Sequence, residues 1–266
     1  MIPIYILTRG RVNKQTTWAS IGSDARASAY TTLVCPTDEV PRHERYDRRV
    51  LDRGEVKGAP NVRQWILEDA MEKDYDKIII LDDDLIFGRR AHPDLPSLRT
   101  TTQAEMHELW DRMEALLDGF IHVGVSPRQM NDKHFPLVFK RCMRQNALHG
   151  LRPKDILKTG LKYNDVDLME DYHMTLGLFG MGHSNAVITD WTWDQRGASG
   201  APGGCSLYRD ATLQESASKK LESMYPDFVK SLQKETKTGW EGMKVRWDVR
   251  VQWRRAAKQG GCEYGI

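Results

Sequence analysis

The sequence predicts an α/β protein with a Rossmann-like, mostly parallel twisted sheet flanked by helices, followed by a C-terminal extension of helix and strand. Apolar runs typical of strands alternate with helical segments from residue 2 onward, which is the order of parallel βαβ units. Residues 78–81 are four large aliphatics in a row, typical of a strand buried on both faces of a sheet. Asp82, Asp83 and Asp84 follow at once, where open α/β sheets bind their ligands.

Length and composition indicate an ordinary globular protein. The chain has 266 residues, of which 40% are hydrophobic and 29% charged, enough for one large or one-and-a-half domains. No apolar run approaches the roughly 18 residues that cross a bilayer, and no signal-peptide pattern opens the chain. The four cysteines lack CxxC spacing, which argues against a zinc site. We therefore expect a cytoplasmic protein without a membrane partner, whose oligomeric state the sequence does not reveal. The net charge of +2 neither demands nor excludes nucleic acid.

The chain begins with an apolar strand over residues 2–7, followed by Thr8, Arg9, Gly10 and Arg11. A glycine and two guanidinium groups at a strand-to-loop junction suit a phosphate or a nucleotide base. A polar turn between strand and helix explains the same residues.

The next segments continue the alternation of helix and strand. We predict a helix over residues 13–21, a strand over 30–35, a short strand near Val50 and a helix over 61–73. Arg63 and Gln64 lie in the first turn of that last helix. They either approach a ligand at the rim of the sheet or are solvated.

The run of three aspartates is the strongest site signal in the chain. Adjacent carboxylates repel one another, so a fold that keeps them together usually provides a cation. A solvated acidic turn is the alternative.

The middle of the chain carries mainly structural signals. Thr102 and Glu105 form a capping box that opens an amphipathic helix ending near Gly119. Strands are predicted over residues 120–126 and 136–140. The polar loop that begins at Arg128 between them suits a substrate, although most such loops are only surface.

A second acidic group precedes a predicted buried helix over residues 174–179. Glu170 and Asp171 then lie near a helix N-terminus, where the helix dipole favours the ionised carboxylate. An ionised carboxylate beside a substrate hydroxyl can act as a general base. Capping of the helix is the simpler interpretation.

A short strand over residues 185–189 is followed by a glycine-rich segment over 191–208, which predicts a mobile lid carrying Trp191 and Trp193. His183 lies just before this segment. It is either a structural histidine or a metal ligand.

The C-terminal part begins with helix signals over residues 210–235, within which Pro226 either starts a second helix or marks a break, and it ends in a regular strand pattern over 244–254. One face of that strand is apolar, and the other carries Arg246, Arg250 and Arg254. The cationic face suits a phosphate backbone. Protection of an exposed sheet edge is an equal explanation.

Several motifs together resemble a GT-A-type glycosyltransferase, and more narrowly the small bacteriophage glycosyltransferases that are similar to glucosyltransferases associated with base J and hydroxymethylated pyrimidines in DNA. The motifs lie at residues 4–11, 63–64, 81–85, 122–126, 169–173 and 203–209. The resemblance implies a GT-A-like catalytic domain over residues 1–210. Residues 211–266 lie outside it, as an extension packed on that domain.

The resemblance also implies a reaction and a set of roles. The enzyme would transfer a sugar, with glucose from UDP-glucose as the first candidate, to the hydroxyl of a hydroxymethylated pyrimidine in double-stranded DNA, with inversion favoured, in the host cytoplasm if phage-encoded. Asp82 and Asp84, with His183 as a further candidate, would hold Mn²⁺ or Mg²⁺, and Asp171 or Glu170 would be the base. The nucleotide-sugar would contact Thr8, Arg9, Gly10, Arg11, Arg63, Gln64 and Asp83. DNA would contact Arg128, Arg209, Arg246, Arg250 and Arg254.

Three other functions remain open at this stage. In the first, the acceptor of the sugar is a protein or glycan instead of DNA. In the second, the chain binds nucleotide-sugar or DNA without turnover. Clustered aspartates also serve metal-dependent nucleases.

Overall fold

The computed structural model describes residues 2–21, 29–195, 203–240 and 243–263, and it confirms an α/β fold. Within this part of the chain, ten strands form one large mixed sheet. The strands are β1 (Ile4–Leu7), β2 (Thr31–Cys35), β3 (Val50–Asp52), β4 (Ile78–Asp82), β5 (Ile86–Arg90), β6 (Leu98–Thr100), β7 (His122–Pro127), β8 (Phe139–Arg141), β9 (Leu148–Leu151) and β10 (Ala186–Asp194). Their order is β3-β2-β1-β4-β9-β7-β10-β5-β6, with β8 also pairing with β10.

Most strands of the sheet run in one direction. β1 pairs in parallel with β2 and β4, and β2 with β3, as the alternation of strand and helix predicts. β9 lies antiparallel between β4 and β7, so β7 and its parallel partner β10 run the same way as β4. β5 and β8 oppose β10. Because β9 is reversed, its first residues lie at the same edge as the last residues of β4.

Helices cover both faces of the sheet. They are α1 (Thr16–Ile21), α2 (Val40–Glu44), α3 (Ala59–Glu72), α4 (Gln103–Leu116), α5 (Arg128–Asn131), α6 (Pro153–Lys158) and α7 (Glu170–Gly180). The predicted capping box is present, because the Thr102 side chain accepts from the Glu105 amide and the Glu105 side chain accepts from the Thr102 amide.

Strand β4 is buried on both faces, as its aliphatic run predicts. Ile79 and Leu81 pack on the face covered by α1 and α4. Ile78 and Ile80 pack on the other face, against α3, α6 and α7. The structure is therefore a three-layer arrangement. Asp82, Asp83 and Asp84, called the acidic turn below, lie just outside its central layer.

The C-terminal part consists of α8 (Ala211–Met224), a hairpin of β11 (Val229–Trp240) and β12 (Met243–Val251), and α9 (Trp253–Gln259). A third apolar cluster joins this unit to α7 through Leu176 and Phe179. A second helix starting at Pro226 is wrong, because residues 229–235 belong to β11 and pair with β12. A strongly alternating strand needs a neighbour for its backbone groups, and this requirement overrides weak local helix signals.

The predicted tryptophan-bearing lid is also wrong. Strand β10 extends to Asp194. Trp191 and Trp193 are only 2% and 5% exposed and belong to the apolar core on the face covered by α1 and α4. The glycines that follow favoured a loop prediction from residue 191 onward, although apolar and polar residues alternate up to Asp194, as in a strand. Residues 196–202 of the proposed lid lie outside the described residues. Among those described, every helix is too short or too polar to cross a lipid bilayer.

Candidate active site

A cleft of about 1260 Å³ opens at the carboxyl edge of the sheet. The ends of β1 and β4 and the first turns of α3 and α7 contribute to its walls. The segment before β9 reaches it as well, since the amide of Asp82 donates to the Ala147 carbonyl at 2.9 Å. Because β9 runs antiparallel to β4, the residues just before it, Arg144, Asn146 and Ala147, also line the cleft near the acidic turn.

Asp83 is the buried member of the acidic turn. It is 3% exposed, and it accepts hydrogen bonds from the Thr8 hydroxyl at 2.6 Å and from the Arg11 guanidinium. Burial raises the pKa of Asp83 to about 6, against the opposing effect of Arg11. Both carboxylate oxygens are occupied, so Asp83 ties the end of β1 to the end of β4.

Asp82 and Asp84 face the cleft. Asp82 accepts from Arg63 Nη2 at 2.6 Å, and Asp84 accepts from Arg11 Nη1 at 3.1 Å. Burial raises the pKa of Asp82 to about 6, although Arg63 lowers it. The remaining oxygen of each carboxylate faces the amide of Gln195.

The two carboxylates at the start of α7 occupy different environments. Glu170 is 7% exposed and forms an ion pair with Arg63, which connects it to Asp82. Asp171 lines the cleft and pairs with Arg144 Nη2 at 3.2 Å. The Arg144 guanidinium in turn lies 3.9 Å from the ring centroid of Tyr172, a cation–π arrangement. Asp171 is thus the more accessible carboxylate, and Glu170 is the more firmly held.

Two non-glycine residues beside this site adopt left-handed backbone conformations. Met169, directly before α7, has φ of 63°, and Ala147, directly before β9, has φ of 59°. Such conformations cost about 1–3 kcal/mol each and persist only where the surroundings impose them. They set the directions in which the chain enters α7 and β9 at the cleft.

A pair of glycines packs on the arginine that holds the acidic turn. Gly203 has φ of 99°, and a Cβ atom there would lie 2.8 Å from Arg11 Cγ and 2.9 Å from the Arg9 carbonyl oxygen. The amide of Gly204 donates to that same carbonyl at 2.9 Å. Close approach of the two segments therefore requires glycine at position 203.

Another part of the cleft wall comes from the C-terminal unit and the residues just before it. It includes Arg209, Gln214, Arg246 and Asp248. Tyr208 closes one corner, because its hydroxyl accepts from the amide of Ala59 at the start of α3 at 3.0 Å. The cleft thus has an acidic side at the sheet and a mixed, partly cationic side at the C-terminal unit.

The structure brings most of the predicted site residues together. Those that line the cleft are Thr8, Arg9, Arg11, Arg63, Asp82, Asp83, Asp84, Glu170, Asp171, Arg209 and Arg246. Six others do not line it. Gly10 donates its amide to Glu39 at 2.7 Å, and the Gln64 side chain bonds Glu68 and the amide of Tyr163.

The other four lie farther away. His183 is exposed beyond the C-terminal end of α7, whereas Glu170 opens that helix; eleven helical residues span about 16 Å. Arg128 is 3.9 Å from Asp194 at another part of the sheet edge. Arg250 and Arg254 are exposed on the C-terminal unit outside the cleft.

Sequence reasoning missed Arg144 and Gln195. Arg144 lies in a polar stretch whose only signal is its proximity to the unpredicted strand β9. Gln195 immediately follows β10, so a correct end of that strand would have indicated it.

The donor atoms at the acidic turn fit a hard divalent cation. No three His, Cys, Asp or Glu side chains among the described residues form a metal-binding group. Asp82 Oδ2 and Asp84 Oδ1 nevertheless face one atom, Nε2 of Gln195, at 3.5 and 2.8 Å. Two carboxylates suffice for Mg²⁺ when substrate phosphate and water complete its shell, and Mn²⁺ accepts the same oxygen ligands. Asp83, with both oxygens occupied, does not belong to this set.

Comparison with known proteins gives one family. Residues 2–204 match the family model described as TET-Associated Glycosyltransferase. Comparison with curated protein sequences gives no match.

Several solved structures resemble the chain in outline. A mycobacterial protein superposes with a TM-score of 0.49 and 10% identity, over 97% of this chain and 88% of that one. Residues 1–349 of S. aureus TarS in complex with UDP give 0.48 and 12%, over 84% and 66%. Mannose-1-phosphate geranyltransferase from Thermus thermophilus gives 0.46 and 10%, over 73% and 75%. These TM-scores are below 0.5, so the likenesses support no assignment of substrate or mechanism.

Proposed function

The chain belongs to the TET-associated glycosyltransferase family, and we propose that it transfers glucose from UDP-glucose to the hydroxyl of a hydroxymethylated pyrimidine in double-stranded DNA. One observation carries the proposal. A single cleft combines guanidinium groups, a pair of cleft-facing aspartates and an accessible carboxylate, Asp171, at a helix N-terminus. These are the groups that a diphosphate leaving group and an acceptor hydroxyl require.

The donor would occupy the side of the cleft at β1 and β4. Arg9 and Arg11 would contact the nucleotide and Thr8 would orient Asp83, in keeping with the hydrogen bonds of the acidic turn. Asp82 and Asp84 would hold Mn²⁺ or Mg²⁺, which supplies positive charge to the departing diphosphate. Arg63 would keep Asp82 and Glu170 at fixed positions below the sugar.

Asp171 would accept the proton of the acceptor hydroxyl. Its ion pair with Arg144 keeps it at the cleft wall, and Glu170 is engaged by Arg63. A general base next to the acceptor favours direct displacement, and hence inversion at the sugar carbon. Deprotonation and attack would then occur in one step: the hydroxyl oxygen gives its proton to Asp171 and bonds the sugar carbon, while the bond from that carbon to the diphosphate breaks and UDP leaves.

The acceptor would enter from the C-terminal unit. We assign catalysis to residues 1–210 and much of the DNA contact to residues 211–266. Arg209 and Arg246 line the cleft, and Arg250 and Arg254 are exposed on the C-terminal unit outside it. A pyrimidine in a duplex must leave the base stack to reach Asp171, and cations around the cleft would hold the flanking phosphates.

Intact-mass analysis of a hydroxymethylated DNA oligonucleotide incubated with the protein, UDP-glucose and Mn²⁺ tests the proposal. A gain of one hexose should appear only with hydroxymethylated DNA and wild-type protein, and not with an unmodified oligonucleotide or with Asp84→Ala. Hydrolysis of UDP-glucose without a gain would overturn the DNA acceptor and favour a protein or glycan.

Salt dependence of DNA binding is a second measure of the acceptor. Each phosphate contact contributes about one unit to the slope of log K against log salt. Arg250→Ala should therefore lower that slope by about 1. Lys154→Ala, an exposed change in α6 far along the chain from the C-terminal unit, is the control and should leave the slope unchanged.

A further inference from the structure

Gln195 is held opposite the acidic turn by the pairing of β10 with β5. Asp194, the last residue of β10, pairs with Ile86, the first residue of β5. Gln195 follows Asp194, and Leu85 precedes Ile86, so these two residues are next to each other just beyond the paired strands. Leu85 directly follows Asp84. Strand register therefore brings the Gln195 side chain to the two cleft-facing aspartates, with the backbone anchored by β10.

The Gln195 amide contacts the second oxygen of each of the two cleft-facing carboxylates. Arg63 takes Oδ1 of Asp82, and Arg11 takes Oδ2 of Asp84. The remaining oxygens, Oδ2 of Asp82 and Oδ1 of Asp84, lie 3.5 and 2.8 Å from Nε2 of Gln195. Only the amide nitrogen can donate to a carboxylate, so chemistry fixes this orientation of the amide. A partly positive NH₂ group thus lies where the two carboxylates meet.

We propose that Gln195 is a third protein ligand of the divalent cation, an inference that rests on the metal-dependent function proposed above. Without the cation, Nε2 bridges Asp82 and Asp84. With the cation bound there, the amide turns about its terminal torsion and presents Oε1 instead. That torsion is broad and roughly two-fold, and glutamine carbonyl oxygens ligate hard divalent cations.

A glutamine suits this position better than an acid. A third carboxylate near Asp82 and Asp84 would repel both in the cation-free cleft. An amide offers a donor in one orientation and an acceptor in the other, with no change in net charge. Because it adds an oxygen without adding charge, it strengthens cation binding less than a carboxylate would.

Titration of the full chain with Mn²⁺, following free Mn²⁺ by electron paramagnetic resonance without donor or acceptor, tests the ligand role directly. Even groups outside the coordination shell cost about 10- to 100-fold in metal affinity when removed. Gln195→Ala should therefore weaken Mn²⁺ binding at least about tenfold, and Gln195→Glu should restore it. Gln259→Ala, an exposed glutamine at the end of α9, is the matched control and should bind as the wild type does.

The outcomes separate this inference from the proposed function. Unchanged or tighter binding by Gln195→Ala would show that the amide only competes with the cation, and would overturn the ligand role. In that case Asp84→Ala would still lose Mn²⁺, so metal-dependent transfer would stand. Absence of Mn²⁺ binding by the wild type would overturn both the site and the metal dependence. Thermal unfolding of each variant confirms that the protein is folded.

Discussion

Substitution of Gly203 by alanine tests how the glycine pair sets the acidic turn. The new Cβ would lie 2.8 Å from Arg11 Cγ and 2.9 Å from the Arg9 carbonyl oxygen, so one of the two segments must move. Movement of Arg11 would weaken its bonds to Asp83 and Asp84. The effect should therefore reach the donor site as well as the stability of the fold.

The magnitude follows from two separable costs. A positive φ costs an L-residue about 1–2 kcal/mol. Overpacking adds about 1–3 kcal/mol, for a total of about 2–5 kcal/mol. Gly160 provides a matched control, since its φ is 76° and a Cβ there meets nothing within 4 Å. Gly160→Ala should therefore be destabilised only by the cost of the positive φ.

Urea unfolding and calorimetric UDP binding measure the two consequences. Gly203→Ala should lose more stability than Gly160→Ala, and its UDP affinity should fall about tenfold, the equivalent of one charge-assisted hydrogen bond. Gly160→Ala should bind UDP normally. Equal stability losses with unchanged UDP binding would refute the link between Gly203 and Arg11.

Three further predictions concern buried or catalytic charges. Asp171→Asn should lower the transfer rate roughly 10²- to 10⁴-fold in a steady-state assay while calorimetric UDP affinity stays within about twofold; full activity would exclude Asp171 as the base. Arg63→Gln leaves the buried Glu170 carboxylate without its cation and should lower the urea-unfolding free energy by about 3 kcal/mol or more, whereas a wild-type value would contradict that ion pair. His122 and His149 are buried with ring nitrogens 3.0 Å apart, and burial lowers the pKa of both, that of His122 to about 3. In the unfolded chain each histidine takes up a proton below the ordinary histidine pKa of about 6.5, whereas in the folded protein both stay neutral at that pH. Protonation therefore favours the unfolded chain, and the free energy of unfolding falls as the pH falls. When the pH is lowered from about 7.5 to 5.5, the unfolding free energy of the wild type should fall by about 1.4 kcal/mol more than that of His122→Gln. If the two proteins lose the same unfolding free energy, His122 is not a neutral buried histidine.

The features that sequence predicted well depend on local patterns. Four consecutive aliphatics suffice to define β4, and the aspartates behind it mark the ligand edge of the sheet. Thr102 and Glu105 likewise define a helix start within four residues. Such signals survive folding because the atoms that produce them are neighbours in the chain.

The features that it missed depend on distant partners. Strand β9 has only four residues, including Gly150, and is defined by its neighbours β4 and β7. The pairing of β11 with β12 likewise overrides helix signals near Lys234. No short stretch of sequence contains either pairing.

Roles within the acidic turn were only partly predictable. The sequence shows three equivalent aspartates, and the fold distinguishes them through Arg11 and Arg63 from two other segments. These pairings turn Asp83 inward and leave its neighbours at the cleft. Local sequence therefore predicted the ligand edge but not which oxygen atoms are available there.

The pairing of every carboxylate in the acidic turn with an arginine has a consequence for the life of the protein in the cell. Repulsion within the turn is already offset in the chain itself, so attainment of the native state does not depend on metal supply. In the metal-dependent reaction proposed above, chelation should silence the enzyme and leave its architecture intact, and a later rise in free Mn²⁺ or Mg²⁺ should restore it without new synthesis. The metal quota of the cell would then regulate how much of a constant enzyme pool is active.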